Sequence, residues 1–207
     1  PTVLELLQII KEKDPTVAFR AMCRASICGT CAVKVNGQHR LACNTKVSGE
    51  EVFIEPVDAS PPVRDLVVDQ EGLFRAMKEN EVWITPRDRE LTMMPEDVGR
   101  IAKASDCILC GICNNVCPPI VENKRFGGPA LFTKLFSVVE DVRNARSEEV
   151  LKNAVGLNVL ECVHCGNCSM CCPKGCMPER WVSVFETKLS QRGYIQKREQ
   201  DFGFLGF

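Results

Sequence analysis

Cysteine spacing constrains this chain more than any other feature. Cys107, Cys110, Cys113 and Cys117 follow a C-x2-C-x2-C-x3-C pattern closed by Pro118, and Cys162, Cys165, Cys168 and Cys172 repeat it, closed by Pro173. Iron–sulfur cubanes are held by thiolates at this spacing. Cluster irons take soft thiolate donors held close together, and two-residue gaps let one short loop present three sulfurs to one cube. In two-cluster proteins the fourth cysteine, set three residues on and followed by proline, turns away to ligate the other cluster. The spacing therefore assigns Cys107, Cys110, Cys113 and Cys172 to one [4Fe–4S] cluster. It assigns Cys162, Cys165, Cys168 and Cys117 to a second. Each run lends its last cysteine to the other, so the runs should pack face to face with pseudo-twofold symmetry. No zinc site uses this spacing twice.

A third set lies near the N-terminus. Cys23, Cys28 and Cys31 read C-x4-C-x2-C, and Cys43 follows. This is the spacing of plant-type [2Fe–2S] sites. The first three sulfurs should lie on a loop wrapped round the cluster, with Gly29 letting the backbone approach the sulfides. Cys43 should return after a hairpin, with strands over 32–35 and 38–42 and a turn at Asn36-Gly37, the strongest two-residue hairpin signal. A four-cysteine zinc site is the alternative, and the x4 gap disfavours it.

Of the 14 cysteines in 207 residues, twelve are thus placed and Cys171 and Cys176 remain. Cys171 could replace Cys172 in a slipped register, but Cys172 has the x3 gap and the proline. Both spare residues read as buried free thiols. A disulfide scaffold fits poorly, because such scaffolds are small, secreted and loop-rich. The chain is 45% hydrophobic and 26% charged, the composition of an ordinary globular protein. Its net charge of −1 argues against nucleic acid or an acidic membrane surface as the main partner. No uninterrupted apolar run approaches the roughly 18 residues that a membrane-spanning helix needs.

Apolar periodicity places the remaining elements. Val3, Leu6, Leu7 and Ile10 mark a helix over 2–13, with a capping box from Thr2 and Glu5 and a stop at Asp14-Pro15. Val52 and Ile54 alternate with charges, giving a strand over 51–55. Pro56, Pro61 and Pro62 mark a linker, so a domain boundary is expected within 56–95. Residues 65–77 carry Leu66, Val67, Leu73 and Met77, which should pack across the two domains. Helices follow over 96–104, 129–145 (a stripe of Leu131, Leu135, Val138 and Val142), 147–155 and 178–191 (Trp181, Val182, Phe185 and Leu189). His39, just past the hairpin turn, reads as an exposed strand residue without a role. His164 reads as a loop residue or as a donor to a cluster sulfur. The tail 201–207, with Phe202, Phe204, Leu205 and Phe207, should fold back or dock on a partner. Because the chain begins at Pro1 at the edge of a helix, a preceding segment is expected.

Taken together, these residues resemble the iron–sulfur subunits of succinate dehydrogenase and fumarate reductase. The resemblance is carried by Phe19-Arg20, Cys23-Arg24, Ile27-Cys28-Gly29-Thr30-Cys31, Asn36-Gly37 and Leu41-Ala42-Cys43. It continues through Val63-Arg64-Asp65-Leu66-Val67-Val68-Asp69, Cys107-Ile108-Leu109-Cys110, Gly128-Pro129-Ala130 and Cys172-Pro173-Lys174-Gly175. It implies an α+β fold, with a β-grasp [2Fe–2S] ferredoxin-like domain over 1–75 whose first two strands are missing. A helical, bacterial-ferredoxin-like two-cluster domain would then span 76–207.

The resemblance also implies a function. Such a subunit relays single electrons between an FAD flavoprotein subunit, where succinate and fumarate interconvert, and a membrane-side partner that handles quinone. That partner is a membrane anchor or a cysteine-rich subunit, and the complex sits peripherally on a prokaryotic inner membrane, at its cytoplasmic or periplasmic face. Three positions depart from the family pattern. Most members carry a non-cysteine residue at the position of Cys165 and hold a [3Fe–4S] cluster there. They also carry tryptophan where Val121 stands and histidine where Val163 stands, two residues that line the quinone pocket. With Cys165 present a second [4Fe–4S] cluster is expected in place of [3Fe–4S], and the pattern is closer to members that pair with a cysteine-rich subunit than with a haem b anchor. The alternatives are an iron–sulfur subunit of another flavoprotein complex (thiol-dependent fumarate reductase, glycolate oxidase or a heterodisulfide-type reductase) and a structural zinc protein. No Ser/His/Asp set, Walker loop or paired-carboxylate motif is present, so no catalytic residue is assigned and substrate chemistry is expected only with the flavoprotein.

Overall fold

The computed structural model describes residues 1–88, 91–122 and 125–196; the tail 201–207 lies outside them. The first helix, α1 (Val3–Lys13), forms as its capping box directs. The Glu5 N–H donates to Thr2 Oγ1 at 3.2 Å and the Thr2 N–H donates back to the Glu5 carboxylate at 2.6 Å. Val3, Leu4 and Leu7 are its buried face.

Strands β1 (Ala32–Val35) and β2 (Gln38–Leu41) pair antiparallel with Val35 opposite Gln38. Asn36 and Gly37 between them have φ +47° and +77°, the left-handed pair that a type I′ turn requires. Strand β3 covers only Ile54–Glu55 on the other edge of β1, shorter than the 51–55 expected. Its extension is taken over by the turn. Phe53 N–H donates to Asn36 Oδ1 at 2.8 Å, and the Asn36 N–H donates to the Phe53 carbonyl at 2.9 Å. A second two-stranded sheet, β4 (Pro62–Arg64) with β5 (Val67–Val68), is tied back by Ala18 N–H donating to Asp65 Oδ2 at 2.8 Å.

Helix α2 (Glu71–Glu79) runs through 75–76, where the expected division of the chain falls. Leu66 and Val68 join the N-terminal core while Leu73, Ala76 and Met77 join the helical one, so this segment stitches the two together. The C-terminal part holds α3 (Pro95–Ser105), α4 (Ile112–Asn115), α5 (Pro118–Glu122), α6 (Pro129–Val139), α7 (Ser147–Asn153), α8 (Asn167–Met170) and α9 (Pro178–Gln191). Helices α6 and α9 are its centre. Phe132 meets Phe185 edge to face at 5.2 Å, and Phe136 stacks on Trp181 at 4.1 Å.

Two of the expected helices are shorter than their periodicity suggested. Helix α6 stops at Val139, not 145, because the buried Asn144 draws the chain into a turn. Its Nδ2 donates to the Val138 carbonyl at 3.0 Å and its Oδ1 accepts the Thr85 N–H at 3.1 Å. Helix α7 gives way at Ala154 to a 3-10 turn ending at Leu157. His39 is buried, not exposed. It shares the inner face of β2 with Leu41, and its Nε2 accepts the Asp58 N–H at 3.3 Å. The N-terminal core does not end with its own domain. Cys110 and Ile112 belong to it, so the two parts share one apolar seam.

Candidate metal centres

The N-terminal thiols are gathered by a loop whose backbone turns its amides inward. Ala25, Ile27 and Cys28 N–H groups donate to Cys23 Sγ at 3.4, 3.4 and 3.3 Å, and the Ser26 N–H donates to Cys43 Sγ at 3.3 Å. That inward turn needs left-handed residues. Arg24, Ser26 and Gly29 have φ of +55°, +58° and +73°. Burial works to raise the Cys28 thiol, yet the Thr30 hydroxyl, 3.2 Å away, and backbone amides overcome it and bring Cys28 down to about 6. Burial pushes Cys31 up to about 11, and the neighbouring Cys43 and Cys28 act on it as well. Cys23, Cys28, Cys31 and Cys43 are thus brought together. Thr30 was named from sequence only as part of the Ile27–Cys31 motif, without a role; its place inside the Cys28–Cys31 gap was the available signal.

The two C-x2-C-x2-C-x3-C runs form two small, partly open recesses of similar size. One is lined by Cys107, Cys110, Cys113 and Cys172, the other by Cys117, Cys162, Cys165 and Cys168. The side chains therefore cross over between the runs. Gly111 and Gly166 stand at matching positions in left-handed conformation, φ +74° and +75°, before α4 and α8, which is the local form of the twofold repeat. Burial lifts Cys110 to about 12, with Cys107 and Cys172 adding repulsion, and lifts Cys168 to about 12 with Cys117, Cys162 and Cys165 adding theirs. Burial likewise lifts Cys117 to about 11, next to Cys162 and Cys165. Cys113 is raised well above the ordinary thiol range by burial and by Cys110, Cys107, Cys171 and Cys168.

Thiols raised in this way, Cys110, Cys117 and Cys168 among them, keep their protons until a cation takes their place. Soft sulfur donors, four to a recess, fit iron–sulfur groups. Among the described residues no three His, Cys, Asp or Glu side chains are arranged to hold a single metal ion.

Both recesses are braced from outside. His164, between Cys162 and Cys165, reaches the Cys162 sulfur through its backbone N–H, while its ring goes to carboxylates. Its Nδ1 meets Glu179 at 2.9 Å and its Nε2 meets Glu186 at 3.1 Å, clamping the loop to α9. Gly128 has φ +90°, and a Cβ there would lie 3.0 Å from Asn114 Oδ1, which accepts the Ala130 N–H at 3.1 Å. The Gly128-Pro129-Ala130 motif thereby seats the start of α6 on the first cysteine run. Cys171 donates to the Cys168 carbonyl at 3.5 Å and packs against both cores. Cys176 is buried in the first recess.

This geometry agrees with what related proteins show. Residues 1–75 match the model of the 2Fe-2S iron-sulfur cluster binding domain, and residues 103–176 that of the 4Fe-4S dicluster domain. The mitochondrial succinate dehydrogenase [ubiquinone] iron-sulfur subunit 1 of Oryza sativa subsp. japonica is 31% identical over 197 residues, covering 90% of this chain and 70% of the relative. The chain belongs to the succinate dehydrogenase iron–sulfur subunits. The corresponding subunit of Dictyostelium discoideum is 30% identical over 201 residues, covering 88% of this chain and 70% of the relative. A chain in the apo Mycobacterium smegmatis Sdh1 complex superposes with a TM-score of 0.84 at 26% identity, covering 94% of this chain and 86% of that one.

As an iron–sulfur subunit of this family, the protein carries [2Fe–2S] and [4Fe–4S] clusters and serves as the electron-transfer part of a larger oxidoreductase complex. Its fold is α+β, as the resemblance implied. No helix among the described residues is long and apolar enough to cross a membrane.

Proposed function

We propose that this subunit relays single electrons between an FAD flavoprotein subunit that interconverts succinate and fumarate and a membrane-side partner, through three groups held in a row. The [2Fe–2S] group would be held by Cys23, Cys28, Cys31 and Cys43. A [4Fe–4S] group would be held by Cys107, Cys110, Cys113 and Cys172, and a second by Cys117, Cys162, Cys165 and Cys168. The division into 1–75 and 76–207 follows the same reading, with α2 straddling it. When bound, each cluster accepts and releases one electron at a time, which lets a two-electron flavin discharge singly. The chain's own residues bind, orient and dry these sites. Backbone amides cap the Cys23 and Cys43 sulfurs, and the α6–α9 core closes over the cubane recesses.

One observation carries the reading: the three thiol sets are contiguous. The Gly29 backbone lies against Cys110, joining the first set to the second. Helix α4, which carries Cys113 of the second, packs on α8, which carries Cys168 of the third. The ends of this row are apolar and exposed. Met22 and Ile27 flank the first set, at 68% and 63% exposure, and Val121 and Val163 flank the third, at 53% and 61%. Such surfaces suit docking of partner subunits at both ends. The valines at 121 and 163, with Cys165 completing the third set, favour a cysteine-rich partner over a haem b anchor at the second end. The complex would sit peripherally on the cytoplasmic face of a prokaryotic inner membrane.

Anaerobic purification under a tag on this chain tests the proposal. The expected result is a co-purifying flavoprotein, with roughly ten iron and ten acid-labile sulfide per chain, two plus four plus four. Zinc without acid-labile sulfide would overturn it. A flavoprotein that oxidises a 2-hydroxy acid, and not succinate, would move the chain to another complex.

A further inference from the structure

Cys176 is a buried thiol, 1% exposed, that none of the three cysteine sets includes, yet it lines the same recess as Cys107, Cys110, Cys113 and Cys172. Its backbone is fixed on both sides. The Cys176 N–H donates to Cys172 Sγ at 3.3 Å, and the Cys176 carbonyl accepts the Trp181 indole N–H at 2.6 Å. Trp181 is itself held by its stack on Phe136. The next residue, Met177, has φ +52° and leads into α9. This anchoring holds the thiol in the recess that Cys107 also lines, within reach of the Cys107 sulfur.

We propose that Cys176 is a positioning residue for the first cubane: its S–H donates to the Cys107 sulfur and its N–H to the Cys172 sulfur, and this pair of donors raises the cluster's reduction potential. The inference rests on the reading that Cys107, Cys110, Cys113 and Cys172 hold that cluster. A thiol bound to iron has given up its proton. The only proton between the sulfurs of Cys107 and Cys176 is then the one on Cys176, so the direction of the bond follows from the chemistry. A thiol is a weak donor, but here the acceptor is anionic and Cys176 is buried from water, which strengthens the bond. Reduction adds negative charge that the cluster shares with its thiolates. A donor aimed at a thiolate therefore favours the reduced form, and hydrogen bonds to sulfur are among the protein's means of setting potentials. Four cysteines already serve the four iron corners, so the fifth thiol in the recess is left for this task.

The test is an EPR-monitored redox titration of the intact complex carrying Cys176→Ala or Cys176→Ser, with the second cubane as internal reference. In the alanine variant the reduced-to-oxidised ratio of the first cubane at a fixed potential should fall roughly three- to tenfold, about 30 to 60 mV for a one-electron couple. The second cubane should not move. A hydroxyl is a stronger donor than a thiol, so the serine variant should hold the midpoint at or above its native value. If the alanine variant does not assemble, serine decides alone, and a lowered midpoint there overturns the inference. An unmoved midpoint in the alanine variant overturns it, as does loss of the first cubane in that variant while Cys172→Ala retains it, which would make Cys176 a ligand. An unmutated complex without the first cubane's signal overturns the ligand assignment and this inference with it, whereas a normal signal that alanine fails to shift overturns this inference alone.

Discussion

Gly29 and Cys110, which lie 81 positions apart in the chain, are in direct backbone contact. A Cβ built on Gly29 would sit 2.9 Å from the Cys110 Cβ and 2.9 Å from the Ile108 carbonyl oxygen. Only a residue without a side chain allows the two cysteine loops to touch there. The glycine expected to admit the backbone to the sulfides also admits it to the neighbouring site.

Substitution at this position should therefore cost more than backbone strain. Gly37 has a similar φ, +77°, but nothing within 4 Å of its would-be Cβ, so Gly37→Ala carries only the left-handed penalty of about 1 kcal/mol. Gly29→Ala adds a clash with fixed backbone, for a loss of about 2 to 3 kcal/mol. Thermal bleaching of the visible cluster absorbance should begin at a lower temperature in Gly29→Ala than in Gly37→Ala. Equal midpoints would mean that the contact does not bear on stability.

Asn115 is the polar counterpart of that contact. It is buried, accepts the Ala59 N–H at 2.8 Å and donates to the Gly111 carbonyl at 2.9 Å. Asn115→Ala removes the acceptor of the Ala59 N–H, while the Gly111 carbonyl keeps the Asn114 and Asn115 N–H groups at 3.0 and 3.1 Å, and should destabilise by about 1 to 2 kcal/mol. Asn115→Asp keeps the acceptor but sets an oxygen against the Gly111 carbonyl, so it should be no better. Denaturant midpoints of the two variants check this; an aspartate variant as stable as the native protein would refute it.

His39 makes folding sensitive to acid. Burial lowers its pKa, with Lys34 acting in the same direction while Asp58 and Glu55 oppose. A histidine whose folded value lies below its unfolded one binds more protons when unfolded. Its contribution is therefore complete above the ordinary imidazole range near 6.5 and is lost as pH falls through that range towards the folded value. His39→Gln should remove this component. Melting midpoints between about pH 8 and pH 5 should fall less for the variant than for the native protein, and parallel curves would count against the assignment.

Much of this protein was legible in local pattern. Cysteine gaps mark which thiols the fold gathers, because neighbouring thiols come mostly from one short loop, and Asn36-Gly37 and the Thr2–Glu5 box define their turn and cap within four residues. What was missed depends on distance. The burial of His39 comes from Asp58, nineteen positions on, though its alternation with Leu41 on β2 was a usable sign. The early end of α6 depends on Asn144 reaching both Val138 and Thr85, which the Val142 periodicity could not reveal. The place of Cys176 beside Cys107 follows from how α9 packs on α6, and spacing says nothing of that.

Cys165 is the one thiol of its set on the exposed side, so an iron held by it would be the one nearest solvent. Removing that ligand should release that iron first. Cys165→Ser should convert the third site towards [3Fe–4S] and raise its potential, since one anionic donor is gone. Low-temperature EPR of the oxidised variant should show the three-iron signal, which the oxidised native complex should lack. Should Cys165→Ser retain a full cubane with an unchanged midpoint, Cys165 is not a ligand.

Spin quantification by EPR of the fully reduced, anaerobically purified complex tests the central claim most directly. Three donor sets, each complete, predict about three unpaired electrons per chain, one rhombic [2Fe–2S] signal and two magnetically interacting cubanes. A complex that reduces without any cubane signal, or whose oxidised form shows a stoichiometric three-iron signal, would contradict the row of one [2Fe–2S] and two [4Fe–4S] groups.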